Sequence, residues 1–357
     1  MKYCLLLFFS YAMCSCAAMA ADMGHWVTEH GGTAETDSAS RITGVNLGFN
    51  WITDLETEQI AKLRDLAKLD LSLSLITDRG VGQLASLPNI RDLNLYAVER
   101  ITDTAIAYLR GWKHLERLNL RGTDITDTSL QYIAGFSNLR SLDISYTQVT
   151  NNGMDYLASL RNLEELRMGG NKITGAGLHV LKLLPRLTAL SLSGDQKRNT
   201  EIWSIALTDF DLEGIAKLAQ LKVLDLRGIK ITDLGVAHLT SLPNLESLDV
   251  SGTRITNSGI QEIAAIPTLR RLDLWRVKGI DDGAATALAK MKQISTLDLS
   301  DTAVTDGTLA ALRSVKSLRL IYLSGTKVTA NGVDEFRRSR PDCRIDWIAN
   351  QSLDVRQ

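Results

Sequence analysis

The sequence predicts an α/β solenoid, a coil of strand–turn–helix units in which each unit adds one strand to a parallel sheet. Three observations carry this. Residues 221–244, LKVLDLRGIKITDLGVAHLTSLPN, are followed by LESLDVSGTRITNSGIQEIAAIPT, which repeats the pattern over the next 24 residues. Within each copy the apolar spacing changes from alternation to a helical period. Finally, the copies recur along the chain. With the second strand residue as register mark, they fall at Val45, Leu69, Leu93, Leu118, Leu142, Leu166, Leu190, Leu224, Leu248, Leu272, Leu297 and Ile321. Each step is 24 or 25 residues, except the 34 from Leu190 to Leu224. Self-similarity at such a period is the mark of stacked repeats.

In one unit, Leu224 and Leu226 share a face and Asp225 takes the other, so the segment is a short strand. Leu234, Val236, Leu239 and Leu242 follow Ile231 at helical spacing. Thr232 and Asp233 stand just before that run, where a side-chain oxygen accepts from the free amides of a helix's first turn. Pro243 closes the unit because it has no amide to continue a helix. One such unit cannot bury its own apolar face and must stack on its neighbours.

Taken in order, the chain opens with Met1-Lys2 and an apolar run over residues 3–13 that is too short to span a bilayer. Ala18-Met19-Ala20 has small residues where a signal peptidase reads, so residues 1–20 are expected to be a secretory signal peptide. A lipoprotein anchored through Cys16 is the rival reading. Cys4, Cys14 and Cys16 all fall in this segment, leaving Cys343 alone and no disulfide in the mature chain. Residues 21–40 are polar and without period, and are expected to form a flexible leader. The repeat array spans 41–346, with an insertion near 194–203. Residues 347–357 form a cap or tail, with Trp347 and Ile348 placed over the last open edge.

The pattern L-x-x-L-x-L-x-x-T-x-I-T-D-x-G-L-x-x-L resembles the leucine-rich repeat. Its ITD-x-G-L tail is similar to the subtype in the repeat arrays of F-box proteins. The resemblance implies a right-handed horseshoe solenoid, with a concave parallel sheet and short convex helices. It covers about 300 residues of array and carries over the fold, not ubiquitin-ligase activity. A cysteine usually stands in that subtype where this chain has Thr123, Thr147, Thr253, Thr302 and Thr326, with Asn171 in one unit. The hydroxyls are expected to satisfy buried backbone groups of the adjacent unit. Extracellular animal and plant members commonly close their ends with cysteine-bridged caps. Their absence here points to an exported bacterial protein of the periplasm, cell surface or medium.

Residues between the strand leucines stack in columns on the strand face. The middle column includes Asp225, Asp249, Asp273 and Asp298 in four successive units. At strand spacing such carboxylates repel by roughly 1–3 kcal/mol per neighbouring pair. Arg227, Arg271 and Arg276 stand on or beside the same strands as an offset. A basic partner or a cation, calcium first among ions because it takes all-oxygen ligands, would serve as well. The next column adds Tyr96, Arg121 and Trp275, flanked by Arg117, Tyr146, Arg167 and Arg276. Aromatics and arginines are the residue types that anchor interfaces. The insertion contributes Lys197, Arg198 and Trp203, and inserted loops often lie on a binding side.

Catalysis has no visible seat. The five histidines are His25, His30, His114, His179 and His238, and none is paired at metal-ligand spacing. No nucleophile elbow, phosphate loop or zinc-protease motif occurs. A formal net charge of −1 gives no basic excess for nucleic acid. The expected function is therefore recognition of a protein or surface polymer on the concave face, with no enzyme, cofactor or metal assigned. A self-associating envelope protein and a ligase-type adaptor or effector are the alternatives.

Overall fold

The computed structural model describes residues 22–194 and 205–348 of the 357-residue chain, which divides into two compact units, Met1–Leu166 and Arg167–Gln357. The expected signal peptide, the insertion residues Lys197, Arg198 and Trp203, and the tail beyond Ile348 lie outside the described residues. The first unit carries β1 (Thr33–Thr36), β2 (Ile42–Asn46), β3 (Lys68–Asp70), β4 (Asp92–Asn94), β5 (Arg117–Asn119) and β6 (Ser141–Asp143). The strand β7 (Glu165–Arg167) falls at the division. The second unit carries β8 (Ala189–Ser191), β9 (Val223–Asp225), β10 (Ser247–Asp249), β11 (Arg271–Asp273), β12 (Thr296–Asp298), β13 (Leu320–Tyr322) and β14 (Arg344–Asp346).

In both units strand order follows chain order. From β2 to β6, and from β8 to β14, the described pairings are parallel and keep the repeat register, Leu69 against Leu93 and Leu248 against Leu272. This is the α/β repeat solenoid expected from the sequence. The two inward apolar strand residues of the copies are sealed off, as at Leu224 (1% exposed) and Leu226 (0%). Removal of so much apolar surface, at about 25 cal/mol per Å², is what holds such units together.

Polar side chains join one copy to the next on the helical side. Thr232 caps the helix Asp233–His238, its hydroxyl accepting from the Leu234 amide. The following Asp233 reaches into the next copy, where its Oδ1 accepts from the Thr256 amide at 2.7 Å and its Oδ2 from the Thr256 hydroxyl at 2.6 Å. The same bridge runs from Asp54 to Thr77, Asp78 to Thr102, Asp103 to Thr126 and Asp282 to Thr305. An aspartate here therefore does two jobs: it favours the positive end of its own helix and holds the next copy's cap in place.

Three sequence expectations need correction. Residues 21–40 were expected to form a flexible leader, but 22–29 are helical and β1 pairs antiparallel with β2. Met23 and Val27, four apart, turn one helix face onto the end of the stack, with Val27 fully buried. On the neighbouring face Trp26 and His30 stack at 4.3 Å. The hydroxyls of Thr123, Thr253 and Thr302 donate to Leu120, Val250 and Leu299 of their own copy, not to the adjacent one. At the far end Trp347 and Ile348 were expected to cover the last edge together; Trp347 is half-buried, whereas Ile348 is 71% exposed and covers little. Arg340 is a second buried group at this end: its side chain is 2% exposed and donates to the carbonyls of Val315 and Leu318 and to Asp342. No helix among the described residues is long and apolar enough to cross a membrane.

Candidate functional site

The strand face gets its geometry from a recurring turn. A middle-column side chain accepts through Oδ1 from the amide two residues on: Asn94 from Tyr96, Asn119 from Arg121, Asp225 from Arg227, Asp249 from Ser251 and Asp298 from Ser300. Such Asx turns end each strand sharply and fix where the next side chain points. The column therefore has structural work, which reading its carboxylates as a bare charged ladder overlooks.

In the second unit Asp225, Asp249, Asp273 and Asp298 do stand in register on adjacent strands. Arginines of the chain itself supply much of the offset. Arg227 donates to Asp249 Oδ2 from Nη2 at 2.6 Å and from Nε at 3.0 Å. Asp225 also accepts from the Ser191 hydroxyl at 2.9 Å. Burial, the largest single influence on Arg227, opposes its charge, yet attraction to Asp249, Asp225 and Asp273 still raises its pKa.

Asp273 departs from the pattern. Both of its oxygens turn to Arg271, Oδ2 to Nε at 2.7 Å and Oδ1 to Nη2 at 3.0 Å. With 7% exposure, burial outweighs the arginine and, helped by Asp249 and Asp298, holds the carboxyl above its ordinary value of 3.8. The folded protein thus keeps a proton on Asp273 more tightly than the unfolded chain does. The stability this contributes is full below pH 3.8 and is lost as pH rises through the folded value. Asp273→Asn is therefore expected to gain stability relative to the native protein from pH 3 to pH 7. Paired thermal melts across that range check it, and a constant difference contradicts it.

Trp275, Asp298, Asp301, Arg271 and Asp249 line an open depression of about 440 Å³. The Trp275 indole donates to Asp301 Oδ2 at 2.9 Å, and Arg276 lies over the Trp275 ring at 5.0 Å. No three metal-ligating side chains converge on one point among the described residues. The four aspartates stand one to a strand across the sheet and are tied to turns and arginines.

In the first unit the geometry is different. Arg121 lies between two rings, 5.7 Å from the Tyr96 centroid and 4.7 Å from that of Tyr146. Arg117 does not join this group through its guanidinium, which is held by Asp92 at 2.7 Å, the main cause of its raised pKa. Arg167 is exposed at the start of the second unit.

One column escaped the sequence reading. The residue after the Arg121 position takes a left-handed conformation and is glycine at Gly122, Gly170, Gly228, Gly252 and Gly325. Elsewhere it is Phe49, Leu73, Ala97, Tyr146, Arg276 and Asp301, with φ between 55° and 64°. Only glycine takes this conformation without strain, and a side chain there costs about 1–2 kcal/mol, less for aspartate. Three of these residues, Tyr146, Arg276 and Asp301, belong to the two side-chain groups above. Phe49 is 77% exposed and neighbours Leu73 across β2 and β3, with Trp51 (85% exposed) two residues on. The missed signal is a substitution of the repeat's glycine by bulky residues, visible once the copies are aligned one position past the strand columns.

Comparisons with known proteins agree with the repeat fold. The family described as "Leucine rich repeat" matches residues 137–196, and a second of the same description matches 113–134 and 241–264. No curated protein sequence matches the chain. Among solved structures, an internalin from Listeria monocytogenes is similar at 19% identity and TM-score 0.58, covering 94% of this chain and 96% of that one. A leucine-rich-repeat protein of Leptospira interrogans is similar at 21% identity and TM-score 0.51, covering 84% and 83%. The mouse RP105/MD-1 complex gives 18% identity and TM-score 0.54, covering 80% of this chain and 47% of that one.

Proposed function

Because this chain is a leucine-rich-repeat protein, we propose that it is a non-catalytic recognition module that binds a protein partner across its strand face. The observation that carries this reading is the left-handed column. Strained backbone whose side chain stays outside the core does nothing for folding, so the strain at half-buried Tyr146 and exposed Arg276 supports a role outside the fold. These residues also stand beside Tyr96, Arg121 and Trp275, the types that dominate interface energetics. The RP105/MD-1 complex is an example of a similarly folded protein in complex with another. The signal-like residues 1–20 support action outside the cytoplasm, in the periplasm, on the surface or in the medium.

The test is capture from envelope and medium of the parent organism with three baits: the native protein, a Tyr146→Gly/Arg276→Gly/Asp301→Gly variant, and a helix-side control, Gln261→Ala/Lys290→Ala. A partner held by the native protein and the control, and lost by a triple variant that melts no lower than native, is the expected result. Equal capture by all three contradicts the reading.

A further inference from the structure

We propose that Arg121, held between Tyr96 and Tyr146, is the receptor for a carboxylate on an acidic segment of the protein partner. The proposal rests on the strand-face reading above and names the chemistry of that site. Tyr96 and Arg121 hold the same repeat position on neighbouring strands, and each donates its backbone amide to the preceding asparagine, at 3.1 and 3.0 Å. Tyr146 reaches Arg121 from one position further on, through a left-handed backbone at φ 56°.

The Tyr146 and Tyr96 rings approach the guanidinium carbon to 4.7 and 5.7 Å, cation–π contacts that use none of its N–H groups as hydrogen-bond donors, so those still call for an acceptor. Among the described residues none supplies one: Arg121 makes no ion pair, and its guanidinium donates no hydrogen bond. The Tyr96 and Tyr146 hydroxyls are likewise without a hydrogen bond among the described residues. A half-buried cation whose N–H groups are free, set beside two tyrosines with unengaged hydroxyls, is organised for an oxyanion.

Three other arginines of the strand face set the contrast. Arg117 is engaged by Asp92, Arg227 by Asp249 and Arg271 by Asp273. Arg276 has its stacking partner too, but it lies in the acidic group with Asp301, where an incoming anion is repelled. Around Arg121 the middle column is Asn94 and Asn119, neutral amides already tied into the turns. Asp143 on β6 is the near carboxylate; it is 8% exposed and accepts from the Ser145 amide. A single guanidinium carries one charge, and it matches one carboxylate rather than a polyanion.

The probe is an N-acetylated peptide of alternating glutamate and serine, titrated into the full protein while the Arg121 Nε–H resonance is followed by NMR. Its controls are the same peptide with glutamine for glutamate, and inorganic phosphate. A saturable downfield shift with the glutamate peptide alone is expected. Arg121→Lys should weaken it at least five-fold, because an ammonium lacks the planar fork, and Arg121→Gln should abolish it. Tyr146→Gly should weaken it while melting no lower than the native protein. Equal response to the glutamine peptide, tighter binding of phosphate, or full binding by Arg121→Gln overturns the proposal. This titration needs no partner, so it separates from the capture test. A glutamate response with capture unaffected by strand-face changes rejects only the functional reading. Capture lost in the triple variant with no glutamate response rejects only this one.

Discussion

Asp103→Ala is expected to destabilise the protein by about 2–3 kcal/mol, as a lower urea midpoint. The Asp103 carboxylate lies under the next copy's cap. Its Oδ1 accepts from the Thr126 amide at 2.9 Å and the Ser129 amide at 3.0 Å, and also from the Ser129 hydroxyl. Its Oδ2 accepts from the Thr126 hydroxyl at 2.6 Å. Truncation leaves four partly buried donors without that acceptor, and removes a negative charge from a helix start. Asp124→Ala is the control: it gives up one long contact at 3.3 Å from Gln148 on an exposed loop, and should change little.

The pH dependence gives a second check. Burial, the largest influence, works against the Asp103 charge, but the hydrogen bonds from Ser129 and Thr126 outweigh it and lower its pKa. A lowered carboxyl contributes stability that is full above its unfolded value, here 3.8, and is lost as pH falls through the folded one. The gap between native protein and Asp103→Ala should therefore be constant near neutrality and narrow only below pH 3.8. Asp282, lowered by Thr305 and Thr308 against the same burial, should behave alike.

Asn257→Asp is expected to cost about 1–2 kcal/mol at low salt, although it restores the consensus of the repeat. The copy that has Asn257 in place of aspartate is followed by one that has Asp281 in place of the capping threonine. The two are complementary: the Asn257 amide donates to Asp281 Oδ1 at 2.6 Å, and the Asp281 backbone donates to Asn257 Oδ1 at 3.2 Å. An aspartate at 257 would set two carboxylates against each other and lose one donor. Adding Asp281→Thr rebuilds the bridge seen between Asp233 and Thr256. The double variant should regain native stability, with a coupling energy of about 1 kcal/mol or more in the cycle. Additive losses would show that the pair does not act as a unit.

These bridges mark the boundary of what the sequence makes legible. Period and columns were readable because burial imposes them: Leu224 and Leu226 must alternate and Leu248 must stack on Leu272. Thr232 as a helix cap is a local rule and was equally plain. That Asp233 serves the following copy is a contact between residues 23 apart, which local rules do not contain. Direction also escaped, as with Thr253, whose hydroxyl turns back to Val250. In the leader, the signal was only Met23 and Val27, four apart in a polar stretch.

For the site, residue type and column placed Tyr96, Arg121 and Trp275 on the face, but pairing was not written there. Arg117 and Arg121 look alike in sequence; one is held by Asp92 and the other by two rings. Asp301 entered through its bond from Trp275, which depends on a left-handed residue at a position where glycine is the rule.

The most direct measurement is photo-crosslinking of the captured partner from tyrosine positions on the two sides of the repeat. A photoreactive phenylalanine analogue is placed singly at Tyr96 and Tyr322 on the strand side, and at Tyr108 and Tyr156 in the helical segments. The latter two are 50% and 40% exposed and report any partner that docks there. Adducts from position 96, 322 or both, with none from 108 or 156, is the expected result. Adducts from 108 or 156 with none from the strand side would contradict recognition by the strand face.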